Sequence, residues 1–107
     1  MDANNPNDSP KIRGYNIING QLKLASDGAT FESINPAWQD DCLGEFPLST
    51  KDDVHEALAA ARAAFSSWSA TPAPTRGQII GNMGRLLMQY KDDIVRVETR
   101  EIGKTLK

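Results

Sequence analysis

Cys42 and His55 are the only thiol and the only imidazole in the 107 residues, so nucleophilic or imidazole chemistry within the chain would have to start from them. A cysteine becomes a nucleophile when positive groups or a histidine stabilise its thiolate. Cys42 instead follows Asp40 and Asp41, which favour the neutral thiol, and no histidine stands near it in sequence. It reads as a structural cysteine. His55 lies among Asp52, Asp53 and Glu56, one position outside an apolar stripe, and is expected on a solvated helix surface. One cysteine with one histidine cannot build a zinc site. A glycine-rich phosphate loop, an HExxH pair and a GxSxG elbow are all missing from the sequence. These patterns assign no catalytic residue and no cofactor-binding residue.

The elements that would carry these side chains fall into two halves. Residues 1–13 are polar, rich in Asn and Asp with Pro6 and Pro10, and are expected to form a disordered tail. Residues 14–107 form the folded part. Asn19-Gly20 between apolar residues predicts a type I′ hairpin, and Asp27-Gly28 a second turn. Thr30 to Ile34 alternates as a strand should and stops at Asn35-Pro36. Another strand is expected over about Cys42 to Leu48, giving two antiparallel pairs within residues 15–48.

Three helices follow, over about 50–69, 72–90 and 92–102. Ser49-Thr50 before Asp52-Asp53 reads as a capped start, and Val54, Ala57, Leu58, Ala61, Phe65 and Trp68 form one helical face. Thr71 before Pro72 is expected to cap the second helix, and Gly103 to stop the third. Gly77, Gly81 and Gly84 each cost the second helix about 1 kcal/mol relative to alanine, which predicts close approach of a neighbouring backbone. Phe31, Ile34, Phe46, Phe65, Trp68, Ile79, Met83 and Leu87 are the expected core.

Composition narrows the functional classes. Hydrophobic residues make up 39% and charged residues 24%, as in an ordinary globular chain. A net charge of −2 provides no field for gathering phosphates, so nucleic acid is not an expected partner. Apolar runs are too short for a membrane helix. The first eight residues lack a positive n-region and an apolar h-region, which makes the cytoplasm the expected compartment.

Several short segments decide the reading together. Ile18-Asn19-Gly20, Thr30-Phe31-Glu32-Ser33-Ile34-Asn35-Pro36-Ala37 and Leu43-Gly44-Glu45-Phe46-Pro47 come first. Asp53-Val54, Ala60-Ala61-Arg62-Ala63-Ala64-Phe65, Trp68 and Glu101-Ile102-Gly103-Lys104 follow in order. In sequence and spacing they resemble the N-terminal part of the NAD(P)⁺-dependent aldehyde dehydrogenase superfamily, from Ile18 to Lys107. Pro72-Ala73-Pro74-Thr75-Arg76-Gly77 is most similar to branches that oxidise semialdehydes. Trp38-Gln39-Asp40-Asp41 departs from the family's short Thr-Gly-Glu-like turn, so a wider or differently shaped loop and an open register after it are expected.

The resemblance implies an α/β fold in which this chain is the N-terminal layer of a Rossmann-like cofactor domain. It implies a small-molecule aldehyde as substrate, NAD or NADP as cofactor, and homo-oligomers for full-length relatives. The family's cysteine nucleophile, glutamate base, asparagine oxyanion donor and coenzyme-binding residues all lie downstream of these segments. The chain is therefore expected to be truncated and inactive alone, with a tendency to self-associate. By the same resemblance a monovalent cation, Na⁺ or K⁺, would sit between the Ser33 and Ile34 carbonyls and the Glu101 carboxylate; hard cations take such oxygen ligands. An ordinary surface pair of Glu101 with Arg100 or Lys104 is the plainer expectation. A free-standing α+β interaction module without catalysis is the alternative to the enzyme reading.

Overall fold

Five short strands precede three helices in the computed structural model, which describes residues 10–105. The strands are β1 (Ile12–Arg13), β2 (Asn16–Ile18), β3 (Gln21–Lys23), β4 (Thr30–Ile34) and β5 (Cys42–Pro47). The helices are α1 (Lys51–Ala70), α2 (Ala73–Gln89) and α3 (Lys91–Ile102). Asn19 and Gly20 take φ values of 51° and 73°, the left-handed pair that a tight β2–β3 hairpin requires. Ile17 and Leu22 face each other across it and point outward, while Ile18 is buried.

A second sheet has the order β1-β5-β4. β4 and β5 are antiparallel, as expected, but β1 runs parallel to β5 with Ile12 opposite Gly44. Part of the expected polar tail is thus strand, because β5 offers an open edge to its backbone. Residues 1–9 of that tail lie outside the described residues, as do Leu106 and Lys107.

The first helix starts as its sequence dictates. The Thr50 hydroxyl accepts from the Asp53 amide at 3.3 Å, and the Asp53 carboxylate accepts from the Thr50 amide at 2.7 Å, closing a capping box. Asp53 also accepts from the Ser26 amide at 3.1 Å, which ties the start of α1 to the turn after β3. Its carboxyl is held below the ordinary range by the Thr50 amide, against the opposing effect of burial.

Three expectations are corrected. Thr71 does not cap α2; its hydroxyl donates to the Ser67 carbonyl at 2.8 Å and finishes α1, leaving Pro72 to open α2 without a side-chain cap. The glycines of α2 meet no neighbouring backbone: around a Cβ placed at Gly77 or Gly84 there is open space among the described residues. The expected core is also not the buried one. Among the described residues Ile18, Ala25 and Leu43 are the buried apolar ones, whereas Phe31, Ile34, Phe65, Trp68, Ile79, Met83 and Leu87 are all exposed by 40% or more. Phe31 does meet Phe46, their ring centroids 5.9 Å apart.

Candidate functional site

The most highly organised polar cluster lies where the β4–β5 loop meets the end of α3. Chemistry already visible in the chain explains the loop. Asn35 before Pro36 cannot continue the ladder, and its Oδ1 accepts from the Ala37 amide at 2.9 Å, an Asx turn. Two turns follow in series, Trp38 N–H to Asn35 carbonyl at 3.1 Å and Asp41 N–H to Trp38 carbonyl at 2.9 Å. The Asn35 amide then donates to the Asp41 carbonyl at 2.9 Å and closes the loop on itself.

Inside this frame the Asp41 side chain is only 4% exposed. Arg100 reaches it from α3 in a two-pronged contact, Nε to Oδ2 at 3.0 Å and Nη2 to Oδ1 at 2.6 Å. Asn35 Nδ2 adds a third donor at 3.1 Å. The hydrogen bond from Arg100 holds the Asp41 carboxyl below its ordinary pKa, against the upward push of burial, with Asn35 and the Arg100 charge assisting. Asp41 in turn raises the pKa of Arg100. Beside this contact Gly103 ends α3 at φ 68°, and a Cβ there would lie 2.9 Å from Pro36 Cγ. Two separate links therefore join the loop to the last turn of α3.

The residues singled out in the sequence fall around this junction. Ser33 is half-buried and Ile34 exposed at the end of β4, and Glu101 is exposed between Arg100 and Gly103. The strand ladder is interrupted between Ser33 and Ile34: Ser33 pairs with Gly44 but Ile34 with Cys42, so Leu43 has no opposite residue and turns fully inward. The open register after the loop resolves into this bulge. Arg100 is committed to Asp41 rather than Glu101, and no ion pair of Glu101 occurs among the described residues.

Cys42 is partly buried, its Sγ 3.9 Å from the Gly44 carbonyl. It lines a shallow cleft of about 240 Å³ with Lys11, Ile12, Arg13, Glu32 and Glu45, in which Arg13 is paired with Glu45. Two acids and two bases line the cleft, so its lining residues carry no excess of positive charge. His55 is exposed on α1, apart from Cys42. Asp41 and Arg100 were not identified as partners from sequence, and nothing local could have paired them across 59 positions.

The sequence profile of the aldehyde dehydrogenase family matches residues 23–107. The chain is 44% identical over 84 residues to the 2,5-dioxopentanoate dehydrogenase of Saccharolobus solfataricus, covering 78% of this chain and 18% of that protein. It is 37% identical over 100 residues to the NADP⁺ succinate-semialdehyde dehydrogenase of Escherichia coli, covering 94% of this chain and 20% of the other. In three dimensions it matches the crystal structure of an NAD-dependent aldehyde dehydrogenase from Sinorhizobium meliloti with a TM-score of 0.88 at 28% identity. That match covers 96% of this chain and 21% of the other. The chain thus spans about one-fifth of the length of these relatives.

Proposed function

The chain belongs to the aldehyde dehydrogenase family, and on that premise we propose that it serves as the N-terminal layer of an enzyme that oxidises aldehydes, semialdehydes in particular, to carboxylates with NAD⁺ or NADP⁺. The observation that carries this reading is the pairing of a close structural match with coverage of about one-fifth of the matched protein. Relatives whose names specify semialdehydes support the finer substrate class. The setting we propose is cytoplasmic, with homo-oligomers for full-length enzymes; no described helix is long and apolar enough to cross a membrane.

The residues present do not fit the coenzyme. Among the described residues the sheets have only two and three strands, and no glycine-rich turn leads from a strand into a helix. No step of the oxidation is therefore assigned to this chain, which contributes a scaffold. Its donor set does suit a monovalent cation: the Ser33 and Ile34 carbonyls and the Glu101 carboxylate would hold Na⁺ or K⁺ as hard oxygen ligands. The bulge at Ser33–Ile34 and an unpaired Glu101 favour that assignment.

A second reading has its own support. Ile79, Ile80, Met83, Leu86 and Leu87 of α2 are all exposed, and Arg76 Nε is shielded from solvent without an acceptor among the described residues. Such a surface also suits a free-standing interaction module that docks this face on a protein partner.

A chimera distinguishes the two. In the full-length E. coli relative the segment matching residues 23–107 is replaced by residues 23–107 of this chain, and NADPH formation from succinic semialdehyde is followed at saturating coenzyme. Retention of at least a tenth of the parental rate is expected, and an additional Cys42→Ala change should leave that rate intact. A soluble, folded chimera without activity would favour the interaction module.

A further inference from the structure

Arg100 is the charged side chain of α3 that reaches into the protein, and its target is the most deeply buried carboxylate of the described residues. Apolar packing holds α3 only loosely. None of its residues is buried, Ile94 and Ile102 are 42% and 44% exposed, and no side chain caps its first turn. The helix nevertheless meets β4 and β5, and its Arg100 and the Gly103 that ends it lie against the loop between them. There the contact is polar and directional: two charge-assisted bonds from one planar guanidinium onto both oxygens of Asp41. Asp41 is in turn bound by Asn35 side chain and backbone, so the same carboxylate residue closes the loop. We infer that Arg100 is a positioning residue: through Asp41 it locks the loop of residues 35–41 to the last turn of α3 and so sets where Glu101 stands relative to Ser33 and Ile34.

The lock itself rests on the geometry of Arg100, Asp41 and Asn35. Its consequence for a cation rests on the reading proposed above. A lysine at position 100 would keep the charge but replace a rigid fork with a single ammonium, which cannot address both carboxylate oxygens in the same plane.

Amide hydrogen exchange by NMR on the 107-residue chain tests the lock. In Arg100→Lys the Asn35, Asp41 and Gly103 amides, each a donor at this junction, are expected to exchange at least tenfold faster, while the α1 amides keep their wild-type rates. Asp41→Asn, which keeps the side-chain shape but loses the charge, should give the same pattern to a smaller degree. Unchanged exchange in Arg100→Lys overturns the inference. So does uniform acceleration that includes α1 in both variants, since the pair would then support the whole fold rather than the junction. A sodium chloride titration of the Ser33 and Ile34 carbonyl shifts, against choline chloride at equal ionic strength, examines the consequence. Saturable shifts in the wild type that disappear in Arg100→Lys, although Glu101 is intact, support it. Absence of saturable shifts in the wild type, with the exchange pattern as expected, overturns the cation assignment and upholds the lock.

Discussion

Asp41 is buried, charged and triply bonded, and its energetics follow from that combination. Removing Arg100 leaves a carboxylate shielded from water with only Asn35 to replace the lost donors, so Arg100→Ala should destabilise the chain by about 2–3 kcal/mol in urea unfolding. The exposed pairs Arg13–Glu45 and Lys23–Glu56 should matter far less, since solvent screens them and long side chains must be ordered to form them. The pH dependence has a definite sign. Asp41 is depressed below an ordinary value of 3.8, so its contribution is complete above that value and is lost as the pH falls through the lower native pKa. Asp53 is depressed in the same direction. Wild-type stability should therefore fall steadily below pH 3.8, and Asp41→Asn should start lower at neutral pH and fall less steeply. Denaturant midpoints between pH 6 and pH 2.5 measure both. The Asp53 cap is legible in sequence because Thr50 stands three residues before it. The Asp41–Arg100 pair is not, because its partners meet only once a strand loop and a distant helix have been brought together.

Elements were easier to read than their junctions. The hairpin turn at Asn19-Gly20 and the stop at Gly103 both depend on positive φ, a local property of residue type. The three helices emerge within one or two residues of their expected limits, since their apolar spacing and caps are also local. Misreadings occur where two elements compete for one residue: Thr71 finishes α1 instead of starting α2, and Ile12–Arg13 joins β5 instead of staying in a tail. Gly103 connects this scale to the junction. Alanine there must adopt an unfavourable left-handed backbone, and its methyl would lie 3.1 Å from the Ala37 amide nitrogen and 2.9 Å from Pro36 Cγ. Gly103→Ala should cost about 1–2 kcal/mol in chemical denaturation, the range of the left-handed penalty, whereas Gly77→Ala, in open space within α2, should be neutral or stabilising.

At the scale of the molecule the helices lie against too little. The radius of gyration is 17.6 Å and the extents are 52 × 35 × 20 Å, whereas a compact chain of this length has a radius near 13 Å. The apolar faces of α1 and α2 remain largely open, with Phe65 68% and Met88 69% exposed. The isolated chain should therefore bind a hydrophobic dye such as ANS with a several-fold rise in fluorescence, or self-associate in sedimentation. A dye-silent monomer would contradict that expectation. These faces explain why the anticipated core was misplaced. Periodicity correctly grouped Phe65, Trp68, Ile79, Met83 and Leu87 as apolar helix faces, but a stripe specifies only that something should cover it. By itself the sequence determined the turns, the helices and the family, because these depend on neighbouring residues and on segments in fixed order. Tertiary structure alone decided the Leu43 bulge, the β1–β5 pairing, the Asp41–Arg100 contact and the identity of the small buried core. Each of those is a meeting between residues far apart in the chain, and no local propensity carries information about which distant surface will arrive.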